Sequence, residues 1–293
     1  MPASSAYPED LREQVDLYLG SLEFSARPAT EGLEEAMKYS LLAGGKRIRP
    51  VLALATARAL GSDPAKVMPV AAALELIHTY SLIHDDLPAM DDDELRRGMP
   101  TSHVRFGENV AILAGDGLFA EAVSLVCARQ EGDRSSVTAA LGELMDAAGV
   151  EGMVGGQYLD VAGSEGGGKS QLLEIHSLKT GRLIEASVGV VLTLEGAEES
   201  ARIAYEDFAT ELGVLFQIVD DILDVTGSDA ELGKPSGSDE RHGKLTYVSV
   251  YGLEEARSLA ESSHSRALAA LKRAEPATSD LESITDFLHT REN

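Results

Sequence analysis

The chain has 293 residues, 44% hydrophobic and 25% charged, with 25 Lys and Arg against 49 Asp and Glu and a formal net charge of -24. Such acidity argues against nucleic acid or an anionic membrane surface as a partner. The single cysteine, Cys127, rules out an internal disulfide and suits a reducing cytoplasm.

The length approaches the upper limit for one core, and no Pro/Ser-rich linker divides it, so one domain over residues 1–293 is expected, its first six residues disordered. The start, MPASSAYPEDLREQ, shows no basic and apolar leader. No window reaches the ~18 uninterrupted apolar residues of a membrane span. A cytoplasmic protein without stable membrane insertion is therefore expected. Apolar residues recur at three and four spacing in Leu33–Leu42, Val51–Leu60, Val70–Ile83, Ala111–Ala128, Val137–Ala148, Leu172–Ile184, Ala201–Val225 and Leu253–Leu271. That periodicity predicts an all-α fold of long helices with shorter ones between. Breaks are expected at Gly61-Ser62-Asp63-Pro64, Gly98-Met99-Pro100, Glu131-Gly132-Asp133, the glycine run after Gly163, and Gly227–Gly243. Val188–Leu194 is rich in β-branched residues but stands isolated among helical patterns, and reads as part of a buried helix.

Two acidic clusters sit inside these apolar stretches. The first holds Asp85, Asp86 and Asp91, the second Asp220, Asp221 and Asp224. Each close carboxylate pair costs roughly 1 kcal/mol in water and about 4 kcal/mol near a protein surface, so something positive must sit between them. Asp220 and Asp221 stand four and three before Asp224, on one helical face. Asp85 and Asp91 are six apart, about 120° off on a straight helix, but Pro88 between them should break the helix and bring Asp91 back beside Asp85. Few hard oxygen ligands, with room for water and phosphate, suit Mg²⁺.

Cations for an anionic ligand must then be local. Lys46, Arg47 and Arg49 lie in AGGKRIRP, Arg96 and Arg97 follow the first cluster, and Lys234 and Lys244 follow the second. Lys and Arg are natural diphosphate ligands, and Gly44 and Gly45 let backbone approach closely. His78 lies seven residues before Asp85, two turns along the same face. Gly163–Ser170 satisfies G-x-x-x-x-G-K-[ST] to the letter, but that motif works only between a strand and a helix. Asp160, Glu165 and the glycines read instead as a flexible loop joining two helices.

The segments EAMKYSLLAGGKRIRPVL, ELIHTYSLIHDDLPAMDDDELRRGMPTSH, AILAGDGL, GGQYLD, IHSLKTGRLIEAS and FQIVDDILDVTGSDAELGK, followed by GKLTY and GLEEAR, occur in this order. Together they resemble the trans-polyprenyl diphosphate synthases, most closely bacterial farnesyl diphosphate synthases. The resemblance implies a single-domain isoprenoid-synthase-type helical bundle around a deep central cavity. It also implies head-to-tail condensation of isopentenyl diphosphate with an allylic diphosphate such as dimethylallyl or geranyl diphosphate. By the same resemblance Asp85, Asp86, Asp91, Asp220, Asp221 and Asp224 hold three Mg²⁺ ions. Arg96, Lys179 and Lys244, with Lys234 behind them, contact the allylic diphosphate. Lys46, Arg49, His78 and Arg97 hold isopentenyl diphosphate, and Thr180 and Gln217 present oxygens to the allylic cation. The departing diphosphate takes the final proton. A homodimer is implied as well.

Product length follows from the resemblance too. The fifth residue before the first acidic motif, here Tyr80, forms the floor under the growing chain, favouring the fifteen-carbon farnesyl product over geranylgeranyl diphosphate. Two other classes compete. A terpene cyclase would not need GGKRIRP and usually carries an Asn/Ser/Glu motif where DDILD stands, and a non-catalytic helical subunit would tolerate erosion of the acids or of Lys179 and Lys244, all of which are present.

Overall fold

A computed structural model describes residues 7–163, 168–227, 244–274 and 278–291. The expectation of disorder for residues 1–6 lies outside this set, as do Lys234, Glu165 and most of the break after Gly227.

The described chain is almost wholly helical: α1 (Glu9–Gly20), α2 (Glu31–Leu41), α3 (Ile48–Ala59), α4 (Met68–Asp85), α5 (Ser102–Phe106), α6 (Glu108–Arg129), α7 (Arg134–Ala148), α8 (Met153–Ala162), α9 (Lys169–His176), α10 (Arg182–Glu195), α11 (Glu199–Thr226), α12 (Tyr247–Tyr251), α13 (Leu253–Ala274) and α14 (Ser279–Thr290). One π turn, Ser177–Gly181, joins α9 to α10. The apolar periodicity thus becomes helix in every stretch that showed it, and Val188–Leu194 lies within α10, buried over most of its length. α1, α8 and α14 are too short or too polar to have stood out.

α3, α4 and α10 are buried on nearly all sides. α4 lies against α6 and α3, α10 against α7, α3 and α11, and α11 along α13. Buried apolar side chains form one cluster running from Tyr7 to Leu288. Burial on this scale is the main driving force for the bundle.

Among the described residues two helical windows, 64–85 and 108–129, are long and apolar enough to cross a membrane. Glycines and Asp116 interrupt α6, yet its average stays apolar. The first window is 78% buried in the bundle, whereas the second is only 39% buried and leaves Ile112, Leu113 and Phe119 exposed.

Gly98-Met99-Pro100 proves to be more than a break. Leu95–Arg96 and Met99–Pro100 form a two-stranded antiparallel ribbon with Leu95 opposite Pro100 and Arg96 opposite Met99. Its two-residue turn needs positive φ at both central positions, as type I′ hairpins do. Gly98 supplies 72° readily, while Arg97 adopts 53° at a steric cost.

Candidate active site

Pro88 acts as the sequence predicts. α4 stops at Asp85, the chain turns through 86–90, and the Asp91 amide donates to the Asp85 carbonyl at 2.9 Å. Asp85 and Asp91 are thereby returned to one neighbourhood. Opposite stands α11 with the second cluster, and between the two walls lies a cavity of about 620 Å³, within the range of small-molecule sites.

Of the predicted residues, Arg49, His78, Tyr80, Asp85, Arg96, Arg97, Lys179, Thr180, Gln217, Asp220, Asp221 and Lys244 line this cavity. Lys46 is exposed, with its ammonium 5.1 Å from the Phe287 ring centre. Asp86, Asp91 and Asp224 are not part of the lining. Asp86 is buried and takes a forked pair of bonds from Arg96 Nε and Nη2.

Burial pushes the Asp85 carboxyl up to about 6; nearby Lys179 opposes this and Asp91 adds to it. Asp86 is raised by burial and held down by Arg96. His78 is held well below its ordinary value by burial and by Arg49, Arg97, Arg96 and Arg47, so it stays a neutral imidazole in a basic pocket. Arg49, lowered to about 10 by burial, remains charged at neutral pH.

A buried scaffold sets the basic corner. Arg47 gives Nε to Asp16 at 2.9 Å, Nη1 to Glu75 at 2.7 Å and Nη2 to the Leu41 carbonyl at 2.8 Å. Arg47 thus serves as a strut rather than as a cavity cation. It holds the loop in a left-handed conformation (φ 55°) at the start of α3, from which Arg49 projects inward. Gly45 (φ 124°) leaves room for the Arg97 guanidinium, which donates to the Gly44 carbonyl.

The other wall is a relay of fixed hydrogen bonds. Thr180 Oγ1 donates to Gln217 Oε1 at 2.8 Å, Gln217 Nε2 to Asp221 Oδ1 at 2.7 Å, and the Tyr247 amide to Asp221 Oδ2 at 2.6 Å. With its proton committed to Gln217, the Thr180 hydroxyl offers lone pairs to the cavity. Thr180 sits in the π turn, and such turns recur at functional sites. Glycines on either side allow the turn's position: a Cβ on Gly156 of α8 would overlap the Lys179 amide, and one on Gly213 of α11 would stand 3.2 Å from Gly181 Cα.

Among the cavity residues that the sequence reading did not assign to the site, three carry polar groups that matter here. Asp160, expected in a loop, lies on α8 and accepts from Lys179 Nζ at 2.6 Å. Gln157, one turn earlier, and His176 bring buried polar atoms with no partner among the described residues. The pair of carboxamide and acid three apart in GGQYLD was the available signal. The phosphate-loop pattern follows a helix rather than a strand, and Lys169 sits 4.3 Å from the Tyr251 ring centre.

Among the described residues no three His, Cys, Asp or Glu side chains converge closely enough to hold a metal alone. Asp85 and Asp220 nevertheless put hard oxygen donors on facing walls. Mg²⁺ commonly takes one or two carboxylates and completes its shell with water and phosphate, so this donor set fits an ion completed by a phosphorylated ligand.

A helical bundle with a cation-rimmed cavity between two aspartate-bearing helices defines the molecule as an all-α prenyltransferase. Residues 30–288 match the family model described as polyprenyl synthetase, and the chain belongs to that family. It is 49% identical to the farnesyl diphosphate synthase of Geobacillus stearothermophilus over 246 residues, 82% of this chain and 80% of that protein. It is 48% identical over 269 residues to the heterodimeric geranylgeranyl pyrophosphate synthase large subunit 1 of Arabidopsis thaliana, 89% of this chain and 72% of that one. The solved geranyltransferase of Helicobacter pylori, complexed with magnesium and isoprenyl diphosphate, superposes with a TM-score of 0.83 at 33% identity, covering 96% of this chain and 94% of that one.

Proposed function

We propose that this trans-prenyltransferase is a farnesyl diphosphate synthase, condensing isopentenyl diphosphate with dimethylallyl or geranyl diphosphate to give (2E,6E)-farnesyl diphosphate and diphosphate. Relatives at 49% and 48% identity make different products, so overall similarity does not choose between farnesyl and geranylgeranyl diphosphate. The observation that carries the choice is Tyr80. It is 9% exposed at the cavity lining, with its ring set edge-on to Phe119 (5.3 Å, 83°) and to His84 (5.7 Å, 76°). A braced aromatic floor of this kind stops chain growth.

In the proposed reaction the allylic carbon–oxygen bond breaks with its electrons leaving on the diphosphate. The isopentenyl double bond closes on that carbon, and the resulting cation loses a proton to the departing diphosphate. Arg96, Lys179 and Lys244 hold the leaving group, and the Thr180 hydroxyl and the Gln217 carbonyl oxygen face the developing cation. Arg49, Arg97 and neutral His78 hold isopentenyl diphosphate, Lys46 joining from the rim. Asp85, Asp220 and Asp221 at the lining, with Asp86, Asp91 and Asp224 nearby, would hold Mg²⁺, three ions to a site, which would supply neutralisation of the leaving diphosphate.

Acid and cation already pair inside the site: Arg96 with Asp86, Lys244 with Asp91 at 2.8 Å, and Lys179 with Asp160 at 2.6 Å. A metal-loaded diphosphate offers both members of each pair a new partner, so it enters without leaving a buried charge unpaired. The same reading takes the chain as one domain working in the cytoplasm. It also takes the exposed α6 face as the seam of a homodimer, since contiguous exposed apolar surface marks interaction sites.

Purified protein incubated with Mg²⁺, isopentenyl diphosphate and geranyl diphosphate tests the proposal. Farnesyl diphosphate is expected as the end product. Accumulated geranylgeranyl diphosphate would overturn the product assignment, and a cyclised hydrocarbon or no turnover would overturn the whole reading. Asp85→Asn and Asp220→Asn should each lower turnover by about 10²-fold or more without loss of helicity.

A further inference from the structure

Arg291, which follows α14, turns back onto α11. Its Nη2 donates to Asp220 Oδ1 at 3.0 Å and to the Phe216 carbonyl at 3.4 Å, and its guanidinium lies 4.7 Å from the Phe216 ring centre. The two partners differ in freedom: the Arg291 side chain is 10% exposed and that of Asp220 is 59% exposed. Arg291 is thus fixed on the aromatic ring, while the carboxylate can turn toward the cavity that it lines. Arg291 Nε is also buried with no partner among the described residues. The guanidinium is therefore held by packing and by Nη2, not by a full set of acceptors.

We propose that Arg291 is a positioning residue for Asp220, its resident counter-ion while no metal is bound, and that a divalent cation must displace this contact to use the carboxylate. The inference rests on the proposed metal-dependent reaction. Asp220 would then be kept at the cavity wall in the empty protein, at the cost of competition with the incoming ion. Solvent reaches the pair from the Asp220 side, 59% exposed, and screens it, which suits a partner meant to be exchanged.

The test is binding of Mn²⁺, followed by the paramagnetic resonance of the free ion, to the whole protein with a non-cleavable allylic thiolodiphosphate. Arg291→Met keeps an apolar stem on Phe216 and removes the charge, and should tighten Mn²⁺ binding by about two- to fivefold. Arg291→Lys should stay close to the wild type. In an Asp220→Asn background Arg291→Met should change nothing further, because the competing pair is gone. Unchanged or weaker Mn²⁺ binding by Arg291→Met, with a folded thermal transition, would overturn the inference alone. Absence of Mn²⁺ binding by the wild type with the thiolodiphosphate would overturn the proposed function and this inference with it.

Discussion

Lys244 donates to the Asp91 carboxylate at 2.8 Å across 153 positions of sequence, both side chains more than four-fifths buried. The contact ties the turn after α4 to the segment leading into α12, and so joins the two walls at the cavity edge. Lys244→Met should lower turnover by about 10²-fold while the far-ultraviolet circular dichroism is unchanged. Single-turnover kinetics with geranyl diphosphate checks whether the loss falls on the chemical step.

Arg49 is buried at the cavity with its Nε unpartnered among the described residues. Arg49→Met should raise the KM for isopentenyl diphosphate by roughly 10–100-fold, the worth of charge-assisted hydrogen bonds. The KM for the allylic substrate should move far less. Steady-state kinetics with each substrate varied in turn measures the split.

Tyr80→Ala should lengthen the product beyond fifteen carbons, seen by chromatography of the dephosphorylated prenols. Phe119→Ala should do so less, because it removes the brace and leaves the floor.

Arg47→Met should destabilise the protein by about 3–5 kcal/mol, since Glu75 is left charged and 2% exposed without its guanidinium. Adding Glu75→Gln should recover part of that loss. Urea unfolding of the single and double variants measures both.

His176 is held down to about 4, first by burial. Its unfolded value is ordinary, so between about pH 6.5 and 4 the unfolded chain binds a proton that the folded one refuses. Stability from this group is complete above about pH 6.5 and is lost as pH falls toward 4. His176→Asn should flatten that part of the stability profile, read from urea midpoints across pH. Asp85 works in the opposite sense: its raised carboxyl contributes stability below about pH 4 that is lost as pH rises through about 6.

The helices and both acidic clusters were legible because their signals are local. Period and spacing place Asp220 and Asp224 on one face, and Pro88 announces the turn that returns Asp91. What the sequence hid depends on distant partners. Nothing near Arg47 reveals that Asp16 and Glu75 will bind it, so its neighbour relations with Lys46 and Arg49 suggested three equivalent cations. Asp160 looked like part of the glycine loop because α8 carries three glycines within or just before it and breaks the helical pattern. The Arg97 hairpin was invisible for a related reason, since φ > 0 at an arginine is a tertiary imposition.

Gly156 and Gly213 bring bare backbone against the π turn from two sides. The spacing around Lys179 and Thr180 is therefore tightly held: a Cβ at Gly156 would overlap the Lys179 amide nitrogen, and one at Gly213 would stand 3.2 Å from Gly181 Cα and press on main chain. On the proposed mechanism, variation in what this enzyme accepts comes from the far end of the cavity, where one ring can be exchanged for another. The part of the pocket to which that mechanism assigns the chemistry is built to stay the same size.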